Sequence, residues 1–406
     1  MKPLCIHSSV LHFTSSYIKA QEYGRNRGSP QPRRDILTGK YCGDKLKKGD
    51  FHCKAVKKGG KNMVEKKNID WSSLGFSYQK TDYRFVSNFK DGAWDEGVLT
   101  DDDKVVITEC AGVLQYAQTC FEGLKAYTTK DGHIVTFRPD LNAERMKNSC
   151  ERLEMPVYPV DKWIEAVEKV VRANAAWVAP YGSGATLYIR PYMFGSSAVI
   201  GVKPAEEYQF RILTTPVGPY FKGGAKPITI RISDYDRAAP HGTGHIKAGL
   251  NYAMSLYQIM DAHRNGFDEN LYLDPGTRTK IEETGGANVL LVKKDGTIVI
   301  PKSPSILPSI TRRSLVTIAS DVLGMKVEER EVEFQEVKDG EFAECGLCGT
   351  AAVISPVGRI YDHGTYYDMP SGMEGMGPVT RKLYDTLTGI QMGTIEGPEG
   401  WVHVID

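Results

Sequence analysis

The chain has no long apolar run and almost no net charge, and each absence removes a class of protein. No stretch approaches the roughly 18 consecutive apolar residues that a membrane-spanning helix needs. With 51 Lys and Arg against 50 Asp and Glu, the net charge of +1 gives no sign of nucleic acid or a membrane surface as a partner. We therefore expect no nucleic-acid partner and no membrane partner.

Cysteine is also scarce: there are eight cysteines among 406 residues, and three of them precede residue 63. The others show no regular spacing, which predicts no structural disulfides and is typical of a reducing compartment. Cys345 and Cys348 form a CxxC sequence that could be redox-active or half of a metal site. No second CxxC and no histidine pair at zinc-finger spacing accompanies it, so we predict two small residues in a tight loop and assign no metal.

The near-zero net charge of the whole chain conceals a basic N-terminal segment, residues 1–62. It carries 14 Lys and Arg and 4 Asp and Glu, a net of 14 − 4 = +10, which leaves 1 − 10 = −9 for the rest of the chain. The segment lacks apolar periodicity, so we predict that it is disordered.

Two interpretations of this segment stay open. It has the Arg and Ser content of a transit peptide, which would direct the protein to a mitochondrion or plastid. Alternatively it is a non-native extension of a cytoplasmic protein, because the KKGGKN before Met63 is what a purine-rich ribosome-binding site would read if translated. The mass of the native N-terminus discriminates between them.

From Met63 onward, short apolar runs alternate with turn residues and amphipathic stretches, which is typical of mixed α and β structure. The Gly- and Pro-rich PVGPYFKGGAKP divides this body almost evenly and predicts a linker. We predict a small α/β domain over residues 63–215, a linker over 216–227 and a large α/β domain over 228–406.

Two helices are predicted from apolar periodicity, each with an apolar stripe that should face the core. The first follows Asp161 as a candidate cap, and its stripe consists of Trp163, Ala166, Val167, Val170 and Val171. The second ends at Asn265-Gly266, and its stripe consists of Ala253, Leu256, Tyr257 and Met260.

A lysine among small residues is the first sign of chemistry. Lys247 lies in GHIKAGLNYA, and Tyr252 follows on the predicted helix. A reactive amine needs close backbone, no neighbouring carboxylate and a phenol within reach, so this stretch points to pyridoxal phosphate chemistry. Most lysines beside glycines are solvated loop residues, however, and other segments have to support the assignment.

Four other features could complete such a site, and each has a simpler explanation. Glu283, ahead of a Gly-Gly step, could pair with a ring nitrogen or be an exposed strand end. The helix start after Ser309 could bind phosphate or be an ordinary cap. The turn GTAA, with Thr350, could hold an anion or be a plain tight turn. Arg145 and Arg190 could bind carboxylate or phosphate or form surface ion pairs.

Taken together, these segments resemble the branched-chain amino acid aminotransferases. The chain contains, in the order of that family's signatures, LQYAQTCFEGLKAY, FRPDLNAERM, LYIRPY, PVGPYF, KAGLNYA, EETGGANV, LPSITRR and GTAAVISPV. The resemblance covers roughly residues 68–406. It implies an α+β, two-domain fold like that of D-amino-acid transaminase, known as pyridoxal phosphate fold type IV.

The same resemblance implies an activity and a cofactor site. The enzyme would move the amino group between L-leucine, L-isoleucine or L-valine and 2-oxoglutarate, using pyridoxal 5'-phosphate. Lys247 matches the lysine that carries the cofactor and moves the proton at the substrate Cα. Tyr252 matches the phenol beside the ring oxygen, and Glu283 matches the partner of the ring nitrogen. The phosphate ligands would be Arg145, Ile310, Thr311 and Thr350.

For the substrate pocket, the resemblance implies that Arg190 captures the γ-carboxylate of glutamate. The backbone of Thr350 and Ala351 would receive the α-carboxylate. The aromatic walls would be Tyr116, Phe121, Tyr188 and Tyr220. In family members two residues of the partner subunit complete the pocket; they match Ile200 and Val202, so a homodimer is implied.

Other activities occur on the same fold. D-amino acid transaminases and aminodeoxychorismate lyases are the alternatives, and the aromatic pocket together with Arg190 favours the L-branched-chain enzyme. A non-catalytic cofactor-binding protein would lack Lys247 or Glu283, and both residues are present.

Overall fold

The structure is a computed structural model that describes residues 55–58, 61–218 and 226–405. Most of the N-terminal segment, most of the predicted linker and Tyr220 lie outside these ranges. The strands, in chain order, are β1 (Ala55–Lys58), β2 (Lys61–Val64), β3 (Arg84–Lys90), β4 (Ala93–Trp94), β5 (Val98–Thr100), β6 (Thr119–Phe121), β7 (Leu124–Thr128), β8 (Ile134–Phe137), β9 (Thr186–Gly195), β10 (Tyr208–Val217), β11 (Ile228–Ile232), β12 (Glu269–Leu273), β13 (Ile281–Thr284), β14 (Asn288–Lys293), β15 (Ile298–Pro301), β16 (Val327–Arg330), β17 (Phe342–Gly349), β18 (Val353–Asp362), β19 (Thr365–Asp368) and β20 (Val402–Val404).

The helices lie between these strands. They are α1 (Gly112–Tyr116), α2 (Pro139–Arg152), α3 (Val160–Ala173), α4 (Gly249–Arg264), α5 (Ile310–Thr317), α6 (Phe334–Lys338) and α7 (Pro378–Gln391). A π-helical turn, Ile318–Val322, continues α5, and short 3₁₀ turns occupy Trp71–Ser73 and Ala175–Trp177.

A first sheet is antiparallel and is built almost entirely from the first half of the chain. Its strand order is β20-β8-β7-β9-β10-β3-β4, with β5 beside β3 and β6 beside β9. Helices α2 and α3 share a hydrophobic core with this sheet, in which Trp163 is fully buried. The C-terminal strand β20 pairs with β8 at the edge of this sheet, while β1 and β2 form a separate two-stranded hairpin.

A second sheet has the order β13-β12-β11-β18-β17-β14-β15-β16, with β19 beside β18. An additional pairing of β13 with β14 closes six of these strands into a ring that encloses a core, while β15 and β16 extend the sheet beyond it. A third apolar cluster joins strands of both sheets to α5 and α7. The mixed α and β fold class is thereby confirmed, while the division at residues 216–227 stays a prediction.

The apolar stripe predicted for α3 is confirmed. Its buried residues are Trp163, Ala166, Val167, Val170 and Val171. The predicted cap is wrong, because Pro159 occupies the N-cap position and Asp161 lies inside the first turn. There its carboxylate lies near the positive end of the helix dipole, which accounts for the acidic residue at this point in the sequence.

The apolar stripe predicted for α4 does not face the core. Leu256 and Tyr257 are 61% and 59% exposed, and Met260 is also exposed. The residues that α4 buries are Asn251, Ser255, Gln258 and Ala262. The prediction was wrong because the inner face of α4 bonds the preceding loop, where the Asn251 amide donates to the carbonyl oxygens of Thr243 and Ile246, and most of the apolar stripe stays exposed.

The loop predicted for the CxxC sequence is also wrong, because Cys345 and Cys348 both lie on β17. Side chains three positions apart on a strand point to opposite faces, and their Cα atoms are about 10 Å apart, too far for a disulfide. Cys345 packs inside the ring of the second sheet, whereas Cys348 packs in the cluster between the sheets. Burial raises the pKa of both thiols to about 12, so neither is a reactive thiolate.

Candidate active site

A cavity of about 590 Å³ is lined by residues from both sheets. Most of the predicted site residues lie there, although they come from distant parts of the chain. The predicted residues that line it are Phe121, Arg145, Tyr188, Arg190, Lys247, Tyr252, Glu283, Ile310, Thr350 and Ala351.

Some predicted residues do not line this cavity. Thr311 is buried and follows Ile310 in α5. Tyr116 ends α1 and its hydroxyl bonds to the carbonyl oxygen of Ile200. Ile200 and Val202 are 71% and 90% exposed, so they do not form part of the cavity wall within one copy of the described chain.

Lys247 lies in the loop directly before α4, with its side chain in the cavity. Its Nζ donates a hydrogen bond of 2.8 Å to the hydroxyl of Tyr252, one turn into the helix. The same nitrogen lies 4.9 Å from the ring centre of Phe121, whose ring packs edge-on against that of Tyr252. The predicted pairing of amine and phenol is therefore present in the structure.

Glu283 is almost fully buried at the cavity wall, 2% exposed. Three groups bond its carboxylate: Arg237 at 2.8 Å, the Leu307 N–H at 2.8 Å and the side-chain amide of Asn288 at 2.7 Å. Burial raises the pKa of Glu283 to about 7, even though Arg237 acts in the opposite direction. A carboxylate so placed is an acceptor in a dry site, which is what a protonated ring nitrogen requires.

Arg145 reaches the cavity from α2, and Glu122 holds its guanidinium. Two hydrogen bonds of 2.7 Å join Nε and Nη2 of Arg145 to the two carboxylate oxygens of Glu122. Nη1 donates to the Pro308 carbonyl at 3.1 Å, just before α5, and Asn142 also bonds Glu122. The bidentate pair fixes the arginine plane beside the start of α5.

Helix α5 and the turn after β17 bring backbone donors to the same cavity. Ser309 caps α5 by accepting from Arg312, as the sequence predicted. The N–H groups of Ile310 and Thr311, in the first turn, have no partners within the helix and can bind an anion. The Gly349–Ala352 turn adds Thr350 and Ala351.

Arg190 lies on β9 beside aromatic rings. Its guanidinium lies 4.7 Å from the ring centre of Phe121 and 5.1 Å from that of Tyr188. Nη2 donates to the Tyr188 hydroxyl at 2.8 Å. Stacking on two rings keeps the cation in the cavity, and no carboxylate of the described residues pairs with it, so it remains available to a ligand.

Sequence reasoning missed the residues that support this site: Glu122, Arg237, Glu269 and Asn288. Glu122 gave a weak signal, since it is a lone acid in the apolar run CFEGL. Arg237, in DRAAP, gave none. Glu269 lines the cavity, and burial raises its pKa to about 7. Asn288 also lines the cavity, and no group of the described residues bonds its buried amide oxygen, which fits a wall where a ligand would supply the partner.

The donor set fits the cofactor implied by the sequence. It combines a lysine bonded to a phenol, a buried carboxylate for a ring nitrogen, and a helix start with an arginine for a phosphate.

In the described part of the chain, no helix is long and apolar enough to cross a membrane.

Comparison with known proteins identifies the class. The family model of class IV amino-transferases matches residues 119–360, and the chain belongs to this family. It is 52% identical over 345 residues to a branched-chain-amino-acid aminotransferase of Haemophilus influenzae, an alignment that covers 84% of this chain and 100% of that protein.

Solved structures agree with this assignment. The Escherichia coli branched-chain amino acid aminotransferase superposes with a TM-score of 0.68 at 28% identity, over 80% of this chain and 100% of that one. The enzyme of Thermobaculum terrenum, solved in its PLP form, gives 0.66 at 25% identity, over 80% and 99%. The family and fold inferred from the motifs are confirmed.

The buried pair of Glu122 and Arg145 generates a stability prediction. Glu122→Ala leaves a buried guanidinium without its counter-charge and should lower the free energy of unfolding by about 3–5 kcal/mol. Urea denaturation followed by circular dichroism measures the change.

A double variant and a surface control sharpen this test. Replacing the pair together, with Glu122→Leu and Arg145→Met, should restore most of the lost stability because no unpaired charge remains. Glu144→Ala removes an exposed acid next to Arg145 on α2 and should have little effect on the free energy of unfolding. If Glu122→Ala and Glu144→Ala behaved alike, the pair would have no structural importance.

Proposed function

We propose that the protein is a branched-chain amino acid transaminase that uses pyridoxal 5'-phosphate. It moves the amino group between L-leucine, L-isoleucine or L-valine and 2-oxoglutarate, giving branched-chain 2-oxo acids and L-glutamate. The observation that carries this proposal is a cavity that combines the Lys247–Tyr252 pair with the buried carboxylate of Glu283. The identity to the Haemophilus enzyme supports the choice of substrates.

Pyridoxal phosphate, when bound, withdraws electrons from the substrate Cα and carries the amino group from one substrate to the other. Lys247 is the residue to which it is attached. Once released, the Nζ of Lys247 takes the proton from the substrate Cα and returns it to the acceptor carbon. The Tyr252 hydroxyl, 2.8 Å from this nitrogen, orients the amine and would also hold the ring oxygen of the cofactor.

Glu283 would hold a proton on the ring nitrogen of the bound cofactor. Arg237, Asn288 and the Leu307 N–H keep the carboxylate in one orientation, so little reorganisation is needed when charge develops. Arg145, the N–H groups of Ile310 and Thr311, and Thr350 would hold the phosphate.

The substrate pocket accepts both apolar and acidic side chains. Phe121 and Tyr188 provide apolar walls for valine, leucine and isoleucine. Arg190, stacked between them, provides the charge for the γ-carboxylate of glutamate. The backbone donors of Thr350 and Ala351 would receive the α-carboxylate common to all substrates. Tyr220 and Tyr116 stay predictions for the aromatic wall, and Tyr116 does not line the cavity within one copy of the described chain.

We further propose a homodimer in which each subunit completes the pocket of the other. Ile200 and Val202 would reach the partner's pocket, which gives a reason for two exposed apolar residues in one loop. The exposed apolar face of α4, with Tyr257 and Met260, gives a second surface that a partner would cover.

The direct test is incubation of the purified protein with leucine and 2-oxoglutarate. We expect glutamate to form, and Lys247→Ala to abolish repeated turnover because no other amine carries the cofactor. Lys294→Ala, an exposed lysine in a turn, is the control. No glutamate, but pyruvate from aminodeoxychorismate or turnover of D-amino acids alone, would instead favour the alternative activities of the fold.

Arg190→Ala should lower the activity with acidic substrates much more than the activity with apolar ones. Losing a charge-assisted contact costs about 1.5–3 kcal/mol, so kcat/KM for glutamate should fall about 10- to 100-fold. The value for leucine should change far less because its side chain makes no ionic contact. Arg313→Ala, on the exposed side of α5, is the matched control. Equal losses of kcat/KM for the two substrates would contradict the assignment of Arg190 to the substrate pocket.

The dimer is tested by mass and activity together. Light scattering should give about twice the 45.0 kDa of one chain. Tyr257→Glu combined with Met260→Glu should shift the protein to single chains. Dimer formation would then bury the new carboxylates of both subunits without a counter-charge. Val202→Ala should keep the dimer and raise the KM for leucine. A fully active single chain would contradict the shared pocket.

A further inference from the structure

Two cysteines in the core of the first sheet lie with their sulfurs close together, and the roles above assign them no task. Cys120 is on β6, and Cys150 is in the last turn of α2, 30 positions later. Their Sγ atoms are 3.6 Å apart, and the two residues are 0% and 1% exposed. Both are free thiols. A disulfide bond is about 2.0 Å long, so the sulfurs would approach by about 1.6 Å to form one.

The other described cysteines are placed differently. Cys345 and Cys348 point to opposite faces of β17 and pack in separate apolar clusters. Cys110 is partly exposed in the loop before α1. Among the residues that the structure describes, Cys120 and Cys150 are therefore the pair positioned to join.

This pair lies beside the two backbone bonds that hold the lysine loop. Phe121, the residue after Cys120, donates its N–H to the Lys247 carbonyl at 3.1 Å. Ser149, the residue before Cys150, accepts the N–H of Lys247 at its hydroxyl, also at 3.1 Å. Phe121 also lines the cavity. A displacement of either cysteine is therefore transmitted to the backbone of Lys247 and to the wall of the cavity.

We propose that Cys120 and Cys150 are a modification site, a dithiol that a peroxide oxidises to a disulfide and that a dithiol reductant restores. The disulfide lowers turnover, because closing the gap between the sulfurs displaces the backbone that holds Lys247. This effect on turnover rests on the proposed transaminase function, whereas formation of the disulfide does not.

The oxidation balances with hydrogen peroxide as the oxidant. One sulfur attacks a peroxide oxygen, the O–O bond breaks, and the first water leaves a sulfenic acid. The second sulfur attacks the first, the S–O bond breaks, and the second water leaves. Two thiols thus lose two protons and two electrons, and one peroxide becomes two waters. A dithiol reductant reverses the reaction by thiol–disulfide exchange and is itself oxidised to a disulfide.

Burial makes this oxidation slow. The hydrogen bond with Cys150 and burial both raise the pKa of Cys120, so it stays a thiol, whereas the thiolate is the form that attacks. A peroxide reaches the pair when the local structure opens. Strand β6 is three residues long and pairs with β9, and the end of a helix such as α2 frays readily. The site should therefore respond to sustained oxidation.

The first experiment is chemical and needs no activity. The full-length holoenzyme is treated with hydrogen peroxide, unfolded in urea with iodoacetamide to block the remaining thiols, and digested without reduction. Mass spectrometry should find two peptides joined through Cys120 and Cys150, with their summed mass less two hydrogens. Dithiothreitol added before unfolding should remove the joined product.

The second experiment measures turnover of leucine with 2-oxoglutarate after the same treatment. In the wild type, kcat should fall about 10- to 100-fold, because a misplacement of about 1 Å at a reacting group costs that much, and dithiothreitol should restore it. Cys150→Ala cannot form the bond and should keep its kcat. Cys110→Ser, which removes a partly exposed cysteine outside the pair, should lose activity as the wild type does. If Cys150→Ala does not fold, the joined peptides of the wild type still decide the proposal.

Three results would overturn the proposal. They are the absence of joined peptides from the oxidised wild type, an unchanged kcat when the joined peptides are present, and equal losses of kcat in the wild type and folded Cys150→Ala. Failure of the proposed function would look different. In that case the reduced wild type itself would form no glutamate from leucine and 2-oxoglutarate, whether or not peroxide joins the two cysteines.

Discussion

The site depends on a short backbone connection between the lysine loop and the edge strand β6. The N–H of Phe121 donates to the Lys247 carbonyl at 3.1 Å, the N–H of Lys247 donates to the Ser149 hydroxyl at 3.1 Å, and Cys120 forms a β-bridge with Ala248. These bonds attach a loop of the second half of the chain to the strand and helix of the first sheet. With its backbone held on both sides, the lysine can move its side chain while its Cα stays in place.

The charges around the cavity divide into those that the chain neutralises and those that it does not. Glu122 pairs with Arg145 and Glu283 pairs with Arg237, each by contacts of 2.7–2.8 Å in a dry environment. Such pairs are rigid because breaking one leaves a buried charge. The cations that pair with no carboxylate in the described ranges face the cavity or the turn that lines it. The resulting positive balance suits the phosphate and carboxylates of the proposed ligands.

Helices α3 and α4 show how far the sequence could predict the fold. For α3, the apolar stripe matched the buried face residue for residue, since the helix packs on an apolar sheet. For α4, the same rule failed, because its buried face carries polar side chains such as Asn251, which bonds the backbone of the loop before the helix. Periodicity reports which face is apolar, and only the neighbouring elements determine which face is inside. The loop predicted for the CxxC sequence was wrong for a similar reason. A buried strand accepts small apolar residues such as cysteine, so the motif alone does not distinguish a strand from a loop.

By itself, the sequence predicted most of the residues that line the cavity and their order along the chain, because lysine, phenol, carboxylate and helix-start signatures are local patterns. It therefore placed Lys247 beside Tyr252, which are five positions apart on one loop and helix. Only the tertiary structure decided which arginine neutralises which glutamate, and that Lys125 reaches a turn 226 positions away. Such partners are set by strand register and by the packing of one sheet against another. No local pattern encodes those relations, because they arise only when the whole chain has folded.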